Sequence, residues 1–263
     1  MGEGRVRVNN KYIREDKLKR SLLFLLFSLL VVSMATISCA KAPPKIVVGT
    51  IGTYPPFSFI DKKGYLAGFD IDLMNAIAAK EDFKIHGVMT DFEALLEGMA
   101  EGKFDMAIGA ISITEERQKD MLFSEPYFAI AQVVTVRQDN TTITGLDSLT
   151  GKVVAVETGS TSAAIVSELP GVIVRSFADL TAGWDGLQIG TIDAVVSDNT
   201  IASYYVSKYP DQLKIVGEPF SPENYGIAVA KNKPELLAKI NAGLQAVKSE
   251  GLLEQLTQKW LPQ

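Results

Sequence analysis

Apolar residues in this chain come in short dense runs, separated by stretches in which they recur every three or four positions. The run Lys45–Thr50 is rich in β-branched side chains and reads as a buried strand. Tyr54-Pro55-Pro56-Phe57 must be a loop, because consecutive prolines break both ladders and helices. Ile71, Met74, Ile77 and Ala78 then recur at helical spacing, with Asp70 or Asp72 placed to cap that helix. A second helix is predicted over Phe92–Ala100, stopped near Gly102, and a strand returns over Phe104–Ala110. The second half repeats the scheme. Strands are predicted over Lys152–Glu157, Val172–Phe177, Asp193–Ser197, Gln212–Val216 and Tyr225–Ala230. Helices run from the turn Thr158-Gly159-Ser160-Thr161 to about Leu169, around Asp179–Gln188, and over Thr200–Tyr209, Pro234–Ser249 and Leu252–Trp260. Strands alternating with helices call for parallel sheets flanked by helices. The expected architecture is two α/β lobes, the first built from both ends of the chain. Trp184 and Trp260 are expected to pack cores.

The first 38 residues break this pattern. They hold seven Lys/Arg and three acids, and the apolar stretch Leu22–Ile37 runs into Ser38-Cys39. Basic residues, a short apolar core and small residues before a cut site mark an export signal over residues 1–38. The apolar stretch is 16 residues long, short of the roughly 20 of a membrane span. An uncleaved anchor is the alternative, since tilt and flanking lysines adapt a short span. Cys39 is the only cysteine and resembles the acylated cysteine of a bacterial lipoprotein, although Thr36 stands where that motif usually has Leu. The plainer reading is a lone thiol at the end of a signal. Residues 39–44 would then be a lipid-anchored tether. The polar segment before the apolar core is long, and a start downstream of Met1 is a further alternative.

The chain of 263 residues is long enough for one large or two modest domains, and its 47% hydrophobic and 22% charged content is that of an ordinary folded protein. Of 26 basic and 31 acidic residues, seven and three lie in the first 38, which leaves a net charge of −9. An acidic domain argues against nucleic acid as partner. One cysteine allows no internal disulfide and no thiolate metal site. His86, the only histidine, lies on an expected solvated strand edge, and no serine elbow accompanies it. No cofactor is expected.

Two charges stand out. Arg117 closes Ser112-Ile113-Thr114-Glu115-Glu116-Arg117, where an apolar strand runs into a short helix. Its planar fork suits a carboxylate held by two parallel bonds. Asp198 ends the apolar run from Asp193 to Ser197. One cation and one anion at strand mouths are complementary to an α-amino acid zwitterion; ordinary strand-end charges are the plainer alternative.

The stretches Val48-Gly49-Thr50, Tyr54-Pro55-Pro56-Phe57, Gly68-Phe69-Asp70-Ile71-Asp72-Leu73 and Ser112 to Arg117 resemble the polar amino-acid solute-binding proteins of bacterial ABC transporters. Phe123-Ser124-Glu125-Pro126-Tyr127, Gly151 to Thr161, Asp193 to Asp198 and Tyr225-Gly226-Ile227-Ala228 extend the series, which spans about Lys45 to Trp260. The resemblance implies a type II periplasmic-binding-protein fold: lobe 1 at 45–126 plus 227–263, lobe 2 at 132–222, and hinges at 127–131 and 223–226. It implies that Arg117 clamps a ligand carboxylate, assisted by Ser112 and backbone groups near Gly109 and Ala110. Backbone N–H groups of Gly159, Ser160 and Thr161 would meet the same carboxylate from lobe 2. Asp198 would bind the ammonium, and Tyr54 and Phe92 would wall the side-chain pocket. Ser112 and Thr161 have helix capping as an alternative, and Tyr54 and Phe92 have core packing. Neither lobe alone satisfies both poles of a zwitterion, so ligand contacts would favour the closed state.

Two departures from the family bear on the ligand. Ile51 stands where binders of glutamine or basic amino acids often carry Asp. Glu157 stands where other members carry Lys, Leu or Gln. Glu157 could replace the missing acid and attract arginine or lysine; pairing with a neighbouring Lys is the alternative. Expected partners are a free amino acid, the membrane permease of an importer, and the membrane through a lipid anchor, with the protein itself a monomer. A dehydratase acting on prephenate-like acids on the same fold is the enzymatic alternative, but Ser160-Thr161-Ser162-Ala163-Ala164 lacks the acid expected as its proton donor. A sensor domain, or a module of a peptidoglycan-cleaving protein, would need further segments.

Overall fold

The computed structural model describes residues 44–261; the expected export signal and Cys39 lie outside the described residues. The chain enters as β1 (Lys45–Thr50) and turns through β2 (Thr53–Tyr54), β3 (Ser58–Ile60) and β4 (Leu66–Ala67), a small antiparallel sheet. Helix α1 (Phe69–Lys80) leads to β5 (Lys84–Met89), α2 (Phe92–Ala100) to β6 (Met106–Ala107), and the single-turn α3 (Glu115–Gln118) to β7 (Met121–Phe123). The long β8 (Phe128–Arg137) then carries the chain into a second sheet. There β9 (Val153–Glu157), α4 (Thr161–Ser167), β10 (Ile173–Phe177), α5 (Thr181–Ile189), β11 (Ala194–Asp198) and α6 (Asn199–Lys208) follow. Strand β12 (Leu213–Tyr225) brings the chain back to β13 (Ala228–Ala230) in the first sheet, before α7 (Pro234–Ser249) and α8 (Leu252–Trp260).

The two sheets have the orders β5-β1-β6-β13-β7 and β10-β9-β11-β8-β12. In each, four strands run one way and a single strand, β13 or β8, runs against them. The reversed strand is in each case the one by which the chain has just arrived from the other sheet. The two crossings are themselves paired, Phe128 with Tyr225, Ala129 with Asn224 and Ile130 with Glu223.

Several local expectations change. The sequence reading has no strand between Phe104–Ala110 and Lys152–Glu157, where β7 and β8 lie. The run Phe104–Ala110 is strand only at Met106–Ala107. The run Tyr225–Ala230 is split between β12 and β13 at Gly226, where an added Cβ would sit 2.8 Å from the Ile113 side chain. Neither Asp70 nor Asp72 caps α1. That place belongs to Gly68, at φ 131°, where a Cβ would lie 2.1 Å from the Phe57 carbonyl oxygen. Asp72 instead accepts from Trp260 Nε1 at 2.8 Å and from Lys259. Trp184 is fully buried and stacks on Tyr205, 4.4 Å between centroids, whereas Trp260 is half-buried with its ring edge against Phe59. His86 is exposed on the edge strand β5.

Phe57 lies where the crossings meet the first sheet. Its buried ring makes edge contacts with Phe69, Phe128 and Tyr225 at 5.5, 5.4 and 5.1 Å. Phe57→Ala removes all three contacts and leaves a void that rigid neighbours cannot fill. It is expected to cost about 3–5 kcal/mol of stability. Urea unfolding followed by circular dichroism checks this; a loss below about 1 kcal/mol would mean that the cluster re-packs.

Candidate ligand-binding cleft

A cleft lies between the two sheets. From the first it is lined by Tyr54, Phe92, Gly109, Ala110, Ser112 and Arg117; from the second by Glu157, Ser160, Thr161, Ser162, Leu180, Ser197 and Asp198. Most of the residues named from sequence therefore meet in one place, although they come from segments far apart in the chain.

Arg117 sits in the single turn α3, capped by Thr114, whose Oγ1 accepts the Arg117 backbone N–H at 3.2 Å. The cap fixes where the guanidinium starts. One Nη donates to the Ser112 carbonyl at 2.8 Å, and the other reaches across to the Gly159 carbonyl at 3.1 Å. The cation also lies over the Phe92 ring, 5.2 Å from its centroid. Burial pulls Arg117 below its ordinary value, opposed by Glu223, Asp198 and Glu157.

Asp198 ends β11 and starts α6. It is buried, and three side chains donate to its carboxylate: Tyr54 Oη at 2.8 Å, Tyr225 Oη, and Gln132 Nε2. Burial raises its pKa, and the bonds from Tyr225, Tyr54 and Gln132 oppose that. A carboxylate has about four lone-pair sites, so one remains for a further donor. Tyr54 comes from the first lobe and Asp198 from the second, so their bond spans the cleft.

Glu157 ends β9 with 5% of its surface exposed. Among the described residues no donor reaches its carboxylate, so the expected alternative, a bond to a neighbouring Lys, is not made. Burial pushes it up to about 8, with Asp198 and Asp179 adding to the rise and Arg117 opposing it. Ser160 caps α4, its Oγ accepting the Ala163 N–H at 3.0 Å, and it also donates to the Glu157 carbonyl at 2.7 Å. Thr161 Oγ1 donates to Glu223 at 2.9 Å. Neither Ser112 nor Thr161 is a helix cap; Thr114 and Ser160 are.

Two expected residues sit differently. Ile51 does not line the cleft. It is buried in the core behind the floor, where a Cβ on Gly109 would come within 3.2 Å of it. An apolar side chain gains by packing there rather than facing charged groups. Gly159 lies at the rim, and what it offers Arg117 is its carbonyl rather than its N–H. Sequence reasoning missed Gln132, Tyr225 as a donor, and Glu223. Gln132 lies opposite Asp198 in the β8–β11 register, and its amide nitrogen faces Asp198, Thr161 and Glu223 oxygens. No spacing signal reveals a pair 66 residues apart. Tyr225 was legible only as part of a motif.

Two α/β lobes joined by a pair of crossing strands, with a charged cleft lined from both, define a type II solute-binding protein. The chain belongs to the bacterial extracellular solute-binding proteins, family 3, whose profile matches residues 46–263. It is 33% identical over 254 residues to the lysine/arginine/ornithine-binding periplasmic protein of Escherichia coli (strain K12), covering 92% of this chain and 97% of that one. An ancestral arginine-binding protein bound to arginine superposes with a TM-score of 0.80 at 42% identity, over 84% of this chain and 99% of that one. An ancestral arginine-binding protein bound to glutamine superposes with a TM-score of 0.79 at 43% identity, over 84% of this chain and 99% of that one. These relatives are named as binding proteins, and family membership makes this chain extracytoplasmic. Among the described residues no helix is long and apolar enough to cross a membrane.

Proposed function

We propose that this protein is the binding component of an amino-acid ABC importer and that its ligand is a basic amino acid, arginine foremost. The observation that carries this is the charge count of the cleft. Arg117 is complementary to the ligand carboxylate and Asp198 to its ammonium, so a zwitterion uses both. Glu157 is then left buried and without a donor, and a guanidinium or ammonium side chain supplies one. Phe92 and Tyr54 offer ring faces to the stem of such a side chain. The names of the relatives support arginine, and the glutamine-bound structure makes glutamine the neutral competitor to test.

Capture proceeds by closure about the paired crossings, with hinges at 127–131 and 223–226 between the lobes anticipated from sequence. Arg117 and Asp198 stand on different lobes, so only the closed form satisfies both ligand poles, and that difference in affinity drives closure. We read the cleft as one that binds rather than catalyses: no acid stands at the start of α4, where a dehydratase of this fold would need its proton donor. We place the protein as a monomer tethered outside the cytoplasm through acylated Cys39, as the leader suggests.

A thermal-shift screen over the common amino acids tests the reading. Arginine at about 100–1,000 times its Kd is expected to add about 2.7–4 kcal/mol, roughly 5–15 °C in Tm. A response confined to neutral amino acids would refute the role given to Glu157, and no response to any amino acid would refute the function.

A further inference from the structure

Asp70 is completely buried in the first turn of α1, and among the described residues no Lys or Arg reaches it. Such a carboxylate is costly unless its oxygens are used. Both are: Oδ2 accepts the Ala110 backbone N–H at 2.7 Å, and Oδ1 accepts the Tyr127 hydroxyl at 2.8 Å.

Each partner has a functional address. Ala110 lines the cleft and is held at φ 53°, a left-handed conformation that costs a residue with a Cβ roughly 1 kcal/mol or more. Its N–H is committed to Asp70, so that carboxylate maintains the floor against this strain. Tyr127 immediately precedes β8, and its backbone N–H donates to the Tyr225 carbonyl at 3.0 Å. Tyr225 in turn donates its hydroxyl to Asp198. A continuous chain of contacts therefore runs from Ala110 through Asp70, Tyr127 and Tyr225 to Asp198.

We infer that Asp70 is a positioning residue for ligand capture, its two oxygens tying the cleft floor at Ala110 to the crossing strand at Tyr127. This rests on the amino-acid-binding function proposed above. Asparagine is nearly isosteric but carries one acceptor and one donor, so it cannot accept from both partners.

Isothermal titration of arginine at pH 8, with dissociation rates from stopped flow, tests the role. Asp70→Asn is expected to weaken binding about tenfold or more, mainly through faster dissociation, as for loss of a hydrogen bond to a charged group. Tyr127→Phe, which removes a single hydroxyl, is expected to weaken it severalfold. The double variant should lose less than the product of the two, because they share one network. Ile77→Val, on the same helix and fully buried, serves as the packing control: it lowers Tm but leaves affinity unchanged. Should Asp70→Asn and Tyr127→Phe lower Tm yet bind within twofold of wild type, Asp70 is only a fold element and the inference fails. Absence of binding by the wild type would overturn the functional reading and this inference together; undiminished binding by the variants overturns this one alone.

Discussion

Arg117→Ala is expected to weaken arginine binding by about a hundredfold to several thousandfold, and Asp198→Ala by at least as much. The physical reason is the asymmetry between making a buried charge pair and leaving half of it unmade. Removing one partner of such a pair costs about 3–5 kcal/mol, since the remaining charge stays desolvated without compensation, and each 1.4 kcal/mol is a factor of ten. Arg117→Ala strands the ligand carboxylate in the cleft and deletes the guanidinium that lies over Phe92 and bonds to Gly159 on the opposite lobe. Asp198→Ala strands the ligand ammonium and, in addition, leaves Tyr54, Tyr225 and Gln132 without their acceptor. It should therefore also lower the stability of the ligand-free protein, which Arg117→Ala, at a half-exposed turn, should do far less. Titration calorimetry on both variants, beside their urea midpoints, separates the effects. Affinities within threefold of wild type in both would remove the zwitterion clamp from consideration.

The second large effect is on pH. Among the protein's own groups Glu157 is pushed up to about 8, by burial first and then by Asp198 and Asp179. At neutral pH it is therefore mostly protonated. A cationic side chain placed beside it favours the carboxylate, so the bound state holds fewer protons than the free state. The sign follows from linkage: affinity rises with pH up to about the free-state value and flattens above it. If the bound pKa falls below 6, arginine affinity drops by up to about fiftyfold from pH 8 to pH 6. Binding at pH 7 should also release close to one proton, visible as a dependence of the measured heat on the buffer's ionisation enthalpy. Glu157→Gln removes the titrating group: it should cut arginine affinity at pH 8 by about ten- to a hundredfold, flatten the pH profile, and leave glutamine affinity nearly unchanged. A variant as pH-dependent as the wild type, or one losing arginine and glutamine equally, would show that Glu157 does not face the ligand side chain. Asp198, also raised by burial, would then account for the slope.

The periodicity of the apolar residues was enough to mark β1, α2, the βα units of the second lobe and the two C-terminal helices, because each is decided by neighbours within a turn or a pleat. The same local chemistry placed Arg117 at a helix start and Asp198 at a strand end, and their opposite charges already suggested a dipolar guest. Other features depended on partners distant in sequence. The apolar run that becomes β8 has no hydrophobic alternation to mark it, since successive residues from Gln132 to Val136 are buried on both faces of the sheet, and its length is set by the pairing with β11 and β12. Asp70 has the sequence position of a helix cap, yet Gly68 takes that place and tertiary contacts turn Asp70 toward Ala110 and Tyr127. Ile51 follows a strand that ends at the cleft, but the fold turns it behind Gly109 into the core. The chain by itself thus determined its strands, its helices and its supply of charges, all settled by contacts a few residues apart. Which charges share a cleft, and which acid is left without a partner there, was decided only when the crossing strands paired and brought residues more than sixty positions apart within hydrogen-bonding distance.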